Sequence, residues 1–103
     1  MDIASWAIFL YHTECMFYVY ILLSLLDGSR YRGFTTLHPE ERLLVHNRGN
    51  VSSTRLKCPW KIVWYGAFAS KQKAIDFERY LKSGSGHAFA NTRFLDEKYN
   101  EHL

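Results

Sequence analysis

From Phe17 to Leu23 the chain is apolar without a break: Phe17, Tyr18, Val19, Tyr20, Ile21, Leu22 and Leu23 are all aromatic, β-branched or aliphatic. A run this short, with these residue types, suits a strand covered on both faces. Asp27-Gly28 comes next and favours a tight turn, and Arg30 to Thr35 supplies a returning strand. The segment 17–35 therefore predicts a β-hairpin. A two-residue turn centred on Asp27-Gly28 would pair Leu26 with Ser29. Because residues two apart share a face, that register carries Tyr20 and Tyr31 to the same side.

His38-Pro39-Glu40-Glu41 then opens a helix. Proline fits the first helical position and the two acids suit the positive end of the dipole. The helix is expected to reach about Asn47 and to stop before Gly49. Residues 48–59 are polar and basic and read as a loop with room for a short helix. Trp60 to Phe68 is the third strand. Ser70 caps a helix over roughly 71–82, which Ser83-Gly84-Ser85-Gly86 ends; beyond His87 the pattern allows one further helical turn. The order β-β-α-(loop or short α)-β-α predicts an α/β (α+β) fold, a small central three-stranded antiparallel sheet flanked by helices.

The first fifteen residues differ in pattern from the rest of the chain. Segment 3–11 is apolar without a clean period, and His12-Thr13-Glu14-Cys15 breaks it. Met16 is expected to be the natural start, with 1–15 an extension, 16–92 the domain and 93–103 a tail; a short packed helix is the other reading of the leader. The 103 residues suit one compact domain, and a hydrophobic content of 48% with 17% aromatics argues against disorder. The net charge of +3 permits a polyanionic partner without demanding one. Cys15 and Cys58 form neither a metal-binding pair nor a disulfide framework, which points to a reduced cytoplasmic setting. No apolar run reaches the length of a membrane span, so no membrane association is expected.

Three groups of residues could carry chemistry. Tyr20 and Tyr31 lie on the same face of the hairpin, although strand tyrosines are more often simply packed. Arg42 and His46 are four apart and therefore neighbours on the first helix. Together they can grip a phosphate and relay a proton, or line a solvated face. Glu78 points toward the apolar seam of its helix. A carboxylate there is costly unless it binds a cation or a proton, and one carboxylate plus waters is a common magnesium arrangement; the plainer reading is an ion pair with Arg79 or Lys82. Basic residues Arg48, Arg55, Lys57, Lys61, Lys71 and Lys73 could follow a nucleic-acid backbone or serve solubility.

Taken in order, these residues resemble the GIY-YIG nuclease superfamily, in particular its small stand-alone bacterial members. Val19-Tyr20-Ile21 stands at the first signature and Tyr31-Arg32-Gly33 at the second. Glu41-Arg42-Leu43-Leu44-Val45-His46-Asn47 fits the helix motif, and Phe77-Glu78-Arg79-Tyr80-Leu81-Lys82-Ser83-Gly84 the segment with the metal-binding glutamate. The resemblance implies a metal-dependent endonuclease acting on DNA, with branched, damaged or single-stranded forms as candidate substrates. It implies Tyr20, Tyr31, Arg42, His46 and Glu78 as catalytic residues and one Mg²⁺ or Mn²⁺ on Glu78. Tyr20 or Tyr31 would help deprotonate water once the metal or Arg42 lowers its pKa. Arg48, Arg55, Lys57, Lys61, Lys71 and Asn91 would contact nucleic acid.

The chain also departs from that pattern. Val19 replaces a glycine, and Arg32 replaces an aliphatic residue on the face opposite Tyr31, where burial without a partner would be destabilising. The stretch from Gly33 to His46 is one residue longer than usual. Two other functions therefore stand beside the nuclease: a nucleic-acid-binding module with weakened catalysis, and a protein-interaction domain.

Overall fold

The apolar run becomes the middle strand of the molecule. In the computed structural model, which describes residues 16–94, β1 (Phe17–Ser24) lies between β2 (Arg30–Thr35) and β3 (Trp60–Phe68), antiparallel to both. Between β2 and β3 come α1 (Pro39–Asn47) and a 3₁₀ turn (Arg55–Lys57); after β3 come α2 (Lys71–Lys82) and α3 (Gly84–Arg93). The expectations placed on the leader 1–15 and on the tail beyond residue 94 lie outside the described residues.

Helices cover both faces of the sheet, as a central strand apolar on both sides requires. On one face Val19 and Ile21, both fully buried, pack with Ala74, Leu81 and Ala90 from α2 and α3. On the other, Tyr20, Leu22 and Trp60 pack with Tyr31, Leu43 and Cys58. The helices begin where the sequence predicts. Pro39 opens α1, with the His38 ring accepting from the Glu40 N–H at 3.2 Å, and the Ser70 hydroxyl caps α2 through the Lys73 N–H at 3.3 Å. Asn47, the last residue of α1, is clipped to the first of β3: its amide accepts from the Trp60 N–H at 2.7 Å and donates to the Trp60 carbonyl at 3.0 Å.

Two local expectations are corrected. The hairpin has no two-residue turn; its last pair is Leu23 with Arg30, and residues 25–29 form the loop. The Ser24 hydroxyl, anchored by donating to the Lys57 carbonyl at 2.7 Å, accepts from the N–H groups of Leu26 and Asp27, while Asp27 accepts from Ser29. Side chains thus take over the loop amides, and Gly28 supplies the left-handed backbone at φ 77°. Tyr31 therefore sits opposite Leu22 instead of Ser24. The displacement is an even number of residues, so Tyr20 and Tyr31 keep a common face.

The second correction is α3. Ser83-Gly84-Ser85-Gly86 ends α2 and at once starts a ten-residue helix. The Ser83 hydroxyl donates to the Tyr80 carbonyl at 2.6 Å and accepts from the Gly86 N–H at 3.1 Å, serving both helices. A Cβ at Gly86 would stand 1.7 Å from the Tyr80 oxygen, so only glycine lets the new helix turn this closely.

Candidate active site

Tyr20 is held by two neighbours that share its face of the sheet. Its phenol lies over Gly33, its cross-strand partner: a Cβ on Gly33 would stand 2.5 Å from Tyr20 Cζ and from its hydroxyl, and 2.9 Å from Tyr31 Cε1. Its hydroxyl meets His46 Nε2 at 2.8 Å. The three rings form one cluster, with centroids 6.2 Å apart for Tyr20–Tyr31, 5.7 Å for Tyr20–His46 and 5.2 Å for Tyr31–His46. Tyr20 and His46 are sealed from solvent, whereas Tyr31 is half-buried.

One tautomer of His46 satisfies all the contacts of its ring. Nδ1 lies 2.7 Å from the Thr54 hydroxyl, which itself donates to the Val51 carbonyl at 3.5 Å. With its own proton so placed, the Thr54 oxygen accepts from Nδ1–H. Nε2 is then a lone pair, and the Tyr20 hydroxyl donates to it. Trp60 Nε1 secures the Thr54 carbonyl at 3.0 Å. Thr54 lies in an aperiodic Ser/Thr loop, and no pattern in the sequence singles it out.

Charge within the cluster is set by burial. Burial pushes the Tyr20 phenol up to about 12; the Arg42 side chain beside it pulls the other way, while Tyr31 and Glu78 add to the rise. Arg42 does not bring this tyrosine below its free value, contrary to the expected role of that residue, because desolvation outweighs one neighbouring cation. His46 is pushed down to about 4 by burial first and by Arg42 second. At neutral pH the pair is a neutral phenol donating to a neutral imidazole.

This has a measurable consequence. The unfolded chain takes up a proton on His46 below about pH 6.5, and the folded chain only near 4. Stability is therefore full above 6.5 and falls as pH drops toward 4, by up to about 3 kcal/mol. Asp27, held near 2 by Ser29, loses its contribution only at lower pH. Urea midpoints at about pH 7.5 and about pH 4.5 should separate clearly in the wild type and much less in His46→Gln. Equal separation in the two proteins would rule His46 out as the cause.

Glu78 stands on α2, the helix that covers the opposite face of the sheet. Its side chain is 14% exposed, its ion-pair partner is Lys82, one turn along the same helix and 56% exposed, and it is the smallest of the influences that raise Tyr20. Of the five side chains singled out from the sequence, Tyr20, Tyr31, Arg42 and His46 are brought together, and Glu78 acts on Tyr20 through its charge alone. Among the described residues no group of three or more His, Cys, Asp or Glu surrounds a metal position. A single carboxylate does fit an ion that keeps most of its waters and takes further oxygens from a bound phosphate.

The expected nucleic-acid contacts do not form one patch. Arg48, Arg55 and Lys57 lie exposed around the loop after α1, with Lys57 3.7 Å from Asp27. Lys61 pairs in register with Leu23 at one end of the sheet, and Lys71 comes just after the other end, where Phe68 meets Phe17. At the usual strand rise the seven steps from Lys61 to Phe68 span about 23 Å. Asn91 lies on α3 and accepts from Arg30 Nη1 at 2.5 Å. Arg32 is buried, the situation its departure from an aliphatic residue made costly, and its Nε has no hydrogen-bond partner among the described residues. No helix of the described residues is long and apolar enough to cross a membrane.

Most of the chain is similar in sequence to known proteins. Residues 16–92 match the GIY-YIG catalytic domain. The chain is 36% identical over 85 residues to a UPF0213 protein of Bacillus licheniformis, covering 82% of this chain and 84% of that one. It is 41% identical over 66 residues to a UPF0213 protein of Streptococcus pneumoniae, covering 63% of this chain and 65% of that relative, just under two thirds of its length. The solution NMR structure of a UPF0213 protein from Bacillus halodurans covers 84% of this chain and 93% of its own, at 30% identity and a TM-score of 0.49.

Proposed function

Because the chain belongs to the GIY-YIG catalytic domain family, a nuclease family, we propose that it is a divalent-metal-dependent endonuclease that hydrolyses phosphodiester bonds in DNA. The observation that carries this reading is the gathering of Arg42, Tyr31 and His46 around the Tyr20 hydroxyl, with the carboxylate of Glu78 near enough to act on it electrostatically.

Glu78 would hold one Mg²⁺ or Mn²⁺ ion, which supplies polarisation of the scissile phosphate and charge compensation at the leaving oxygen. Tyr31, the more open of the two tyrosines, lies where it can orient the attacking water. Forming a free phenolate at Tyr20 is unfavourable, so proton transfer runs as a relay. Once substrate binding admits a water beside the buried Tyr20 hydroxyl, a proton of that water moves to the Tyr20 oxygen while the Tyr20 proton moves to His46 Nε2, and the new P–O bond forms as the leaving oxygen departs. A phosphodiester beside Arg42 offsets the cation that depresses His46 and so strengthens it as the acceptor. Arg42 meets the charge that grows on the phosphoryl oxygens.

The test is nicking of supercoiled plasmid and cutting of branched DNA with Mg²⁺ or Mn²⁺, with EDTA as control. Wild type should cut only with metal, and Arg42→Ala should be slower by about a hundred- to a thousand-fold. A specific feature favours a second reading: Tyr20 held near 12 and Glu78 already paired with Lys82 suit a binding module without catalysis. Salt-sensitive DNA binding with no cleavage by either protein would select it.

A further inference from the structure

Arg30 and Arg32 alternate along β2 and so share the face opposite Tyr31. Arg32 is 8% exposed, and its Nε lacks a hydrogen-bond partner among the described residues. Arg30 reaches across to α3, where Nη1 donates to Asn91 Oδ1 at 2.5 Å. His87 precedes Asn91 by one turn and lies on the same side of α3. Arg30, Arg32 and His87 are close enough for both arginines to bear on the imidazole, and Arg30 bears on Arg32. Among the described residues no carboxylate is paired with any of the three.

A buried guanidinium without a partner is expensive to keep. Two guanidinium groups and an imidazole with no acid between them have the chemistry of anion recognition, because the planar donor fork matches phosphate oxygens. We propose that the seam where Arg30 of β2 meets Asn91 of α3 is an anion site for a phosphate group, with Arg32 as its main donor and Arg30 and His87 beside it. The site stands whether or not the chain is a nuclease, because it uses none of the five side chains of the candidate active site. Its position nevertheless relates it to them. Arg32 is next to Gly33, which carries the Tyr20 phenol on the other face, so the two sites lie back to back across an edge strand. A nucleic-acid strand passing over that edge is one source of the phosphate, and free inorganic phosphate is the other.

The experiment uses the full chain in chloride buffer with EDTA, so that cleavage plays no part. Inorganic phosphate and then a short single-stranded oligonucleotide lacking a terminal phosphate are titrated, read by melting temperature and by amide NMR shifts. For wild type, phosphate should raise the melting temperature and move the His87 and Asn91 resonances. Arg32→Met should melt higher than wild type without phosphate, since an unpaired buried charge is gone, and should bind phosphate at least roughly ten-fold more weakly. Arg32→Lys keeps the charge without the fork and should also bind more weakly, which guards against a failure of the methionine variant to fold. An Arg32-dependent response to the oligonucleotide assigns the site to nucleic acid; one to inorganic phosphate alone assigns it to the free ion. Equal responses of wild type and both variants, or none, would overturn the proposal.

Discussion

Glu78→Gln is expected to lower divalent-dependent cleavage by roughly a thousand-fold, the equivalent of about 4 kcal/mol of transition-state stabilisation, while leaving the melting temperature almost unchanged. The two outcomes separate because Glu78 does little for the fold. Its one ion pair among the described residues is with exposed Lys82 in the next turn, a kind worth about half a kcal/mol or less. Glutamine keeps the shape and removes the charge a cation needs. Equal metal-dependent rates in wild type and variant, with DNA in excess, would remove Glu78 from the mechanism. A rate loss that additional Mn²⁺ restores would place the defect in metal affinity.

Gly33→Ala should harm stability and activity together. The added methyl would fall 2.5 Å from the end of the Tyr20 ring and 2.9 Å from Tyr31. Tyr20 cannot yield easily, because it is 1% exposed and bonded to a fully buried His46. Shifting it strands a buried donor and acceptor, so a loss of about 1–3 kcal/mol is expected in urea unfolding. A displacement near 1 Å should also slow cleavage by about a hundred-fold. The cause can be isolated with Tyr20→Phe: the ring carbon still meets the methyl, but without the hydrogen bond to His46 the ring is free to shift, and the penalty of Gly33→Ala should shrink in that background. Purely additive effects would show that Gly33 matters for some other reason.

Where neighbours in sequence decide a conformation, the sequence was a good guide. The apolar runs of β1 and β3, the proline and acids opening α1 and the serine capping α2 all act locally. The hairpin loop was misjudged because it depends on Ser24 reaching the Lys57 carbonyl, 33 residues away. The helix after Gly84 was missed because glycine and serine normally end helices, and the close approach of Gly86 to Tyr80 exists only in three dimensions. The candidate site divides the same way. Arg42 and His46 are legible from helical spacing, and Tyr20 and Tyr31 from strand parity that survived a wrong register. Thr54 was not legible, since its role depends on where a loop happens to fold. The elevation of Tyr20 was also hidden, because it rests on how tightly its surroundings exclude water.

The Asn47 clip on Trp60 closes the twelve residues between them into a tethered handle. That handle presents Arg48, Arg55 and Lys57 outward, while Thr54, immediately before Arg55, grips His46 inside. The segment that carries surface charge at Arg55 is thus the same one that supplies the hydroxyl holding His46 in the interior, so a substitution chosen to alter the charge of this loop also acts next to the anchor of the buried ring.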